Sequence, residues 1–113
     1  MLTIKEYLDP QGRSPFSVWF DEQSAQSAAK VTAHLARLAA GNTSNVAPVG
    51  NGVHEKKIDW GPGLRVYFGN DGRDLVVLLA GSEKRDQAAA IRRAKMYWHE
   101  YQQRKRSISH GTD

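Results

Sequence analysis

Lys56, Lys57 and Arg65, followed by Lys84 and Arg85, are cations set among short apolar runs and glycine turns, not gathered in a tail. Cations held at strand ends and at a helix start form a shaped site for a polyanion, and RNA fits that description best. Arginine can grip a phosphate through two parallel hydrogen bonds, whereas lysine supplies a point charge. Such a cluster can stabilise charge that builds on phosphorus, which favours a nucleic acid over a metabolite as the molecule acted upon.

Strands, turns and helices must position these cations. Leu2 to Leu8 reads as an opening strand, ended by Asp9-Pro10-Gln11-Gly12. Ser14-Pro15 is a helix start, a capping hydroxyl before a proline at the first helical position. Phe16, Trp19 and Phe20 share one face, and Ala28, Val31, Leu35 and Leu38 continue at three- and four-residue spacing. Either two helices or one bent helix follows, ended by Gly41-Asn42. Residues 42–52 read as a loop. Val53 to Trp60, Leu64 to Gly69 and Asp74 to Ala80 then read as an antiparallel meander joined by Gly61-Pro62-Gly63 and Asn70-Asp71-Gly72. Leu75 to Leu79 is apolar on both faces, which predicts a central strand with helices on one side at least. Ser82 is placed to cap a last, basic helix carrying Ala88, Ile91, Ala94, Met96 and Trp98 among Arg92, Arg93 and Lys95.

The chain has 113 residues, no cysteine and a formal net charge of +4. That length fits one domain, taken as residues 1–106 with a disordered tail over 107–113. The lack of cysteine removes disulfides, thiol nucleophiles and thiolate metal sites. With no membrane span and no signal-peptide core, a cytoplasmic location is expected. Residues 84–106 hold eight cations against Asp86 and Glu100, whereas residues 1–40 balance to zero. The histidines lack metal-ligand spacing, so neither metal nor cofactor is expected.

The side-chain period of two turns Leu64, Val66 and Phe68 one way and Arg65 and Tyr67 the other. Lys56, across a short turn, and Lys84, at the rim, are expected to join Arg65 at one concave edge. The alternative is that Arg65 pairs with Glu55 or Asp59 and the lysines are simply solvated.

The run from Val53 through Lys56-Lys57, Trp60-Gly61-Pro62-Gly63 and Arg65 to Phe68, then the apolar strand, Gly81-Ser82-Glu83-Lys84-Arg85-Asp86-Gln87 and Ile91 to Ala94, resembles the RelE/HigB-type toxins of bacterial toxin-antitoxin modules. The likeness is nearest to their addiction-module killer branch and extends from Ser14-Pro15-Phe16 to Tyr101. It implies an α+β, RelE-like fold, β-α-α-β-β-β-α, with an antiparallel-type sheet packed by two amino-terminal helices and a basic carboxy-terminal helix. It also implies an mRNA interferase, an endoribonuclease acting in the ribosomal decoding site and neutralised by a cognate antitoxin encoded beside it. By that resemblance Arg65 contacts the scissile phosphate, Lys84 or Arg85 faces the developing charge or leaving group, and Lys56 is a sheet lysine of the site.

The reaction implied is metal-independent attack of a ribose 2′-hydroxyl on the adjacent phosphate. Lys56 could act as base only if burial depressed its pKa. RelE-type enzymes commonly place a tyrosine or histidine a few residues beyond the last-strand cation, where this chain has Ala88, Ala89 and Ala90. Tyr67 is the catalytic candidate in its stead, with Tyr97 read as packing and His54 as a further option. RNA contacts are expected from Lys57, His54, Trp60, Arg92 and Arg93. Two readings stand beside this one: a ParE-type inhibitor of DNA gyrase, and a nucleic-acid-binding module that cleaves nothing.

Overall fold

The first helix begins where the sequence places it. The Ser14 hydroxyl accepts a hydrogen bond from the Ser17 N–H at 3.0 Å with Pro15 behind it, and α1 covers Pro15–Asp21. Ser24 repeats the device on Ser27 N–H at 3.1 Å, so α2, Ala25–Ala39, is a separate helix and not the bent continuation of α1. Gly41 ends it with φ +94°, a conformation glycine adopts without a Cβ penalty.

In the computed structural model, which describes residues 1–110, these helices pack on a five-stranded mixed sheet: β1 Thr3–Glu6, β2 Val46–Gly50, β3 Val53–Ile58, β4 Leu64–Asp71 and β5 Leu75–Glu83, in the order β1-β5-β4-β3-β2. The protein is therefore α+β, with corrections to the expected plan. Val46–Gly50 is a strand, not a loop; it lies at the sheet edge, where Pro48 is tolerated and large apolar side chains are not required. β1 runs parallel to β5, so the sheet is mixed and not purely antiparallel. β5 extends to Glu83, because Ser82 stays paired with Arg65 and its hydroxyl shares a hydrogen bond with that of Tyr67 in place of capping a helix. A short 3₁₀ turn, Lys84–Asp86, leads into α3, Gln87–His110. Residues 107–110, expected in a disordered tail, are helical; 111–113 lie outside the described residues.

The sheet has an apolar cluster on each face. Beneath α3, Tyr7, Val53, Tyr67, Val77 and Leu79 meet Ala90, Ala94 and Trp98. Beneath α1 and α2, Ile58, Leu64, Val66, Phe68, Val76 and Leu78 meet Phe16, Val31 and Leu38. On α3 the buried stripe is Ala90, Ala94 and Trp98, whereas Met96, read as apolar lining, is 67% exposed. A bulge helps β5 serve both faces: Tyr67 pairs with Ala80 but Phe68 with Leu78, leaving Leu79 as the extra residue. Among the described residues no helix is long and apolar enough to cross a membrane.

Two close contacts fix the helices to the sheet. The Trp19 ring lies over Gly81, where a Cβ would fall 2.1 Å from a ring atom. At the far end Asp71 accepts a hydrogen bond from the Tyr101 hydroxyl at 2.6 Å and another from the Lys105 ammonium. Both bonds hold the Asp71 carboxyl below its ordinary range.

Gly81→Ala is expected to cost about 1–3 kcal/mol through overpacking, read by urea denaturation, with Trp19→Leu in the same chain restoring part of the loss. Because the folded-state pKa of Asp71 is depressed, its stabilisation is present above the unfolded carboxyl pKa of about 3.9 and fades as pH falls through the folded value. Asp71→Asn should thus lower Tm at neutral pH and converge with the wild type in acid.

Candidate nucleic-acid interface

The five residues Asp59 to Gly63 join β3 to β4, and an odd-length connection dictates which side chains share a face. Lys57 pairs with Arg65, Glu55 with Tyr67, and Lys56 with Val66. Glu55, Lys57, Arg65 and Tyr67 consequently face α3, while His54, Lys56 and Ile58 face α1 and α2.

Arg65 is 5% exposed, and its Nη1 donates to the Leu64 carbonyl at 3.0 Å. Among the described residues its Nε is buried without a partner and it makes no carboxylate pair, so the expected alternative of pairing with Glu55 or Asp59 is not realised. Gly63 lets the turn close over it. At φ +80° that residue sits where a Cβ would be 3.2 Å from Lys84 Cβ and 3.5 Å from Arg65 Nη1. The Lys84 N–H donates to the Gly63 carbonyl at 2.8 Å, which ties the 3₁₀ turn to the hairpin. The result is an open groove of about 400 Å³ lined by Asp59, Trp60, Pro62, Arg65 and Lys84.

Arg65, Lys84 and half-buried Trp60 are thus brought together, with Lys57 exposed on the same sheet face. Arg85 is also exposed and lies near two carboxylates, 3.5 Å from Glu83 and 3.7 Å from Asp86. Arg92 and Arg93 are exposed on α3; Arg93 lines a separate groove with Trp19 and Glu22.

Lys56 does not join the cluster. It is 2% exposed on the opposite face, where its ammonium donates to the Ser44 carbonyl. Burial, then the charge of Arg37, lowers its pKa, so the condition set for a lysine base is met at a position that cannot serve Arg65. His54 lies on that same face, stacked on Phe68 with ring centroids 5.6 Å apart.

Tyr67 is on the correct face but sealed, with no exposed surface and its hydroxyl 3.1 Å from Ser82 Oγ. Its pKa is pushed up to about 12, chiefly by burial. Tyr97 packs as expected, stacked on Tyr7 at 5.2 Å.

Glu55 was missed. This carboxylate is 2% exposed, shares the Arg65 face and accepts a hydrogen bond from Gln87 Nε2 at 2.6 Å. The period of two, carried across an odd-length turn, contains the signal for both Glu55 and Lys57. Together the groove offers a desolvated guanidinium, an exposed ammonium and an aromatic ring, a set suited to gripping a phosphodiester, and Glu55 is not among its lining residues.

No protein-family model matches the chain. A Haemophilus influenzae protein described as an uncharacterized protein is 37% identical over 82 residues, covering 72% of this chain and 83% of the relative. The chain belongs to the same family as that Haemophilus influenzae protein.

Proposed function

We propose that this protein is the RelE/HigB-type toxin of a toxin-antitoxin module, a metal-independent endoribonuclease that cuts mRNA on the ribosome and is neutralised by a cognate antitoxin. The observation that carries the reading is Arg65: a guanidinium desolvated at the base of an open groove, free of any carboxylate pair among the described residues, with Lys84 and Trp60 beside it. An uncompensated buried cation is costly, on the order of several kcal/mol, and an anionic substrate supplies the missing charge. The element order, with two helices before the hairpin strands and a basic helix after them, supports a RelE-like topology; the edge strand β2 is an addition to the expected plan.

In this mechanism a ribose 2′-oxygen attacks phosphorus while its proton passes to water in the open groove; Glu55, held by Gln87, is as sealed as Tyr67 and does not line that groove. The bond from phosphorus to the 5′-oxygen breaks, leaving a 2′,3′-cyclic phosphate and a 5′-hydroxyl. Arg65 neutralises the non-bridging oxygens as charge accumulates on them, and the Lys84 ammonium donates to the departing 5′-oxygen. Trp60 offers a face for base stacking at the groove wall. Arg85, among its carboxylates, is a weaker partner for the leaving group than Lys84.

The sealing of Tyr67 and the turning of Lys56 to the other face favour one further reading. With no side chain placed as base, the same groove would bind nucleic acid and not cleave it.

Induction without an antitoxin is expected to arrest growth and yield mRNA fragments with new 5′ ends. Arg65→Ala and Lys84→Ala should each reduce cleavage roughly 10²–10³-fold with circular dichroism unchanged. Intact transcripts alongside trapped gyrase would replace the ribonuclease with the ParE-type reading.

A further inference from the structure

The sheet face opposite Arg65 carries a second group of cations that the reaction above does not use. On α2, Lys30, His34 and Arg37 follow at spacings of four and three, which sets them along one side of the helix. Beneath them lies Lys56, whose ammonium donates to the Ser44 carbonyl. His54 shares this face from β3.

No acid in the local chain balances these charges. Residues 23–54, which span α2, the following loop, β2 and the start of β3, contain neither aspartate nor glutamate. Among the described residues, neither Lys56 nor Arg37 has a carboxylate within 4.0 Å. Lys56 is nonetheless 98% buried, taking the complement of its 2% exposure.

His34 adds an independent sign. Arg37 Nη1 lies 3.4 Å from His34 Nε2. A guanidinium can only donate, so Nε2 must accept and the ring proton sits on Nδ1. That Nδ1 is buried and, among the described residues, has no partner, which makes it a donor lacking an acceptor. Burial and the charges of Lys56, Arg37 and Lys30 all lower the His34 pKa, in keeping with a neutral ring.

We propose that Lys56, His34 and Arg37 form a seat for a phosphate oxyanion on the α2 face of the sheet, occupied by a backbone phosphate of RNA. An oxyanion there accepts from the Lys56 ammonium and the His34 Nδ1–H and offsets the Arg37 charge. The continuation of cations to Lys30 favours the repeated phosphates of a nucleic acid over a single carboxylate. The seat is distinct from the Arg65 groove and needs no cleavage to be occupied.

The histidine ring resonances of the whole protein report occupancy. The probes are inorganic phosphate and a short single-stranded RNA with methylated 2′-hydroxyls, which cannot be cleaved. Both should shift His34 saturably, the RNA at lower concentration. Arg37→Glu, an exposed position, should abolish the His34 response, weaken RNA binding roughly tenfold and reduce the steepness of its salt dependence by about one phosphate contact. Arg65→Ala should leave the His34 response intact.

A His34 signal unmoved by either probe, or moved equally in Arg37→Glu, overturns the seat; a response to phosphate but not to RNA overturns its occupant. If RNA shifts His34 while the wild-type protein cleaves no transcript, the seat stands and the ribonuclease reading falls.

Discussion

The pairing of β3 with β4 is the constraint on which the rest of the structure depends. Its register buries Ile58, Leu64, Val66 and Phe68 under α1 and α2, and in the same stroke turns Glu55, Lys57, Arg65 and Tyr67 toward α3. A slip by one residue would put Arg65 into the apolar cluster and Val66 into the groove. The five-residue turn and the left-handed Gly63 hold that register, and the Gly63 carbonyl then receives Lys84. Core formation and the placing of cations are therefore one event.

Both buried cations on β3 and β4 lack a carboxylate pair among the described residues, yet they differ in what surrounds them. Arg65 lies below an open groove beside an exposed ammonium, with Glu55 on its own face. Lys56 lies below a helix whose polar side carries only more positive charge. Desolvation penalises a lone cation in either place, and an external anion relieves it in either place. The two faces of one thin sheet thus present two different anion environments.

Proton transfer is constrained by burial more than by residue type. Tyr67 has the right direction but no access and a raised pKa, while Lys56 has a lowered pKa but the wrong direction. A catalytic role needs reach and titration together. On the Arg65 face Glu55 is oriented by Gln87, because the 3₁₀ turn sets the start of α3 against β3, but it is as buried as Tyr67.

Much of this was legible from residue order. Ser14-Pro15 marks the start of α1, the apolar run marks an interior β5, and alternation separates Arg65 from Leu64 and Val66, because capping, solvent exclusion and strand period are local effects. The strand β2 was hidden since an edge strand needs few apolar groups, and its pairing with β3 is supplied by another part of the chain. The parallel partnership of β1 with β5 joins residues about 70 positions apart, which no local pattern encodes. The separation of Lys56 from Arg65 was within reach of parity alone, but the burial of Lys56 against Ser44 and the meeting of Glu55 with Gln87 were not. Sequence by itself determined the helix starts, the hairpin strands and the supply of cations; tertiary packing decided which cations meet, because desolvation and contact depend on what each side chain finds across the fold.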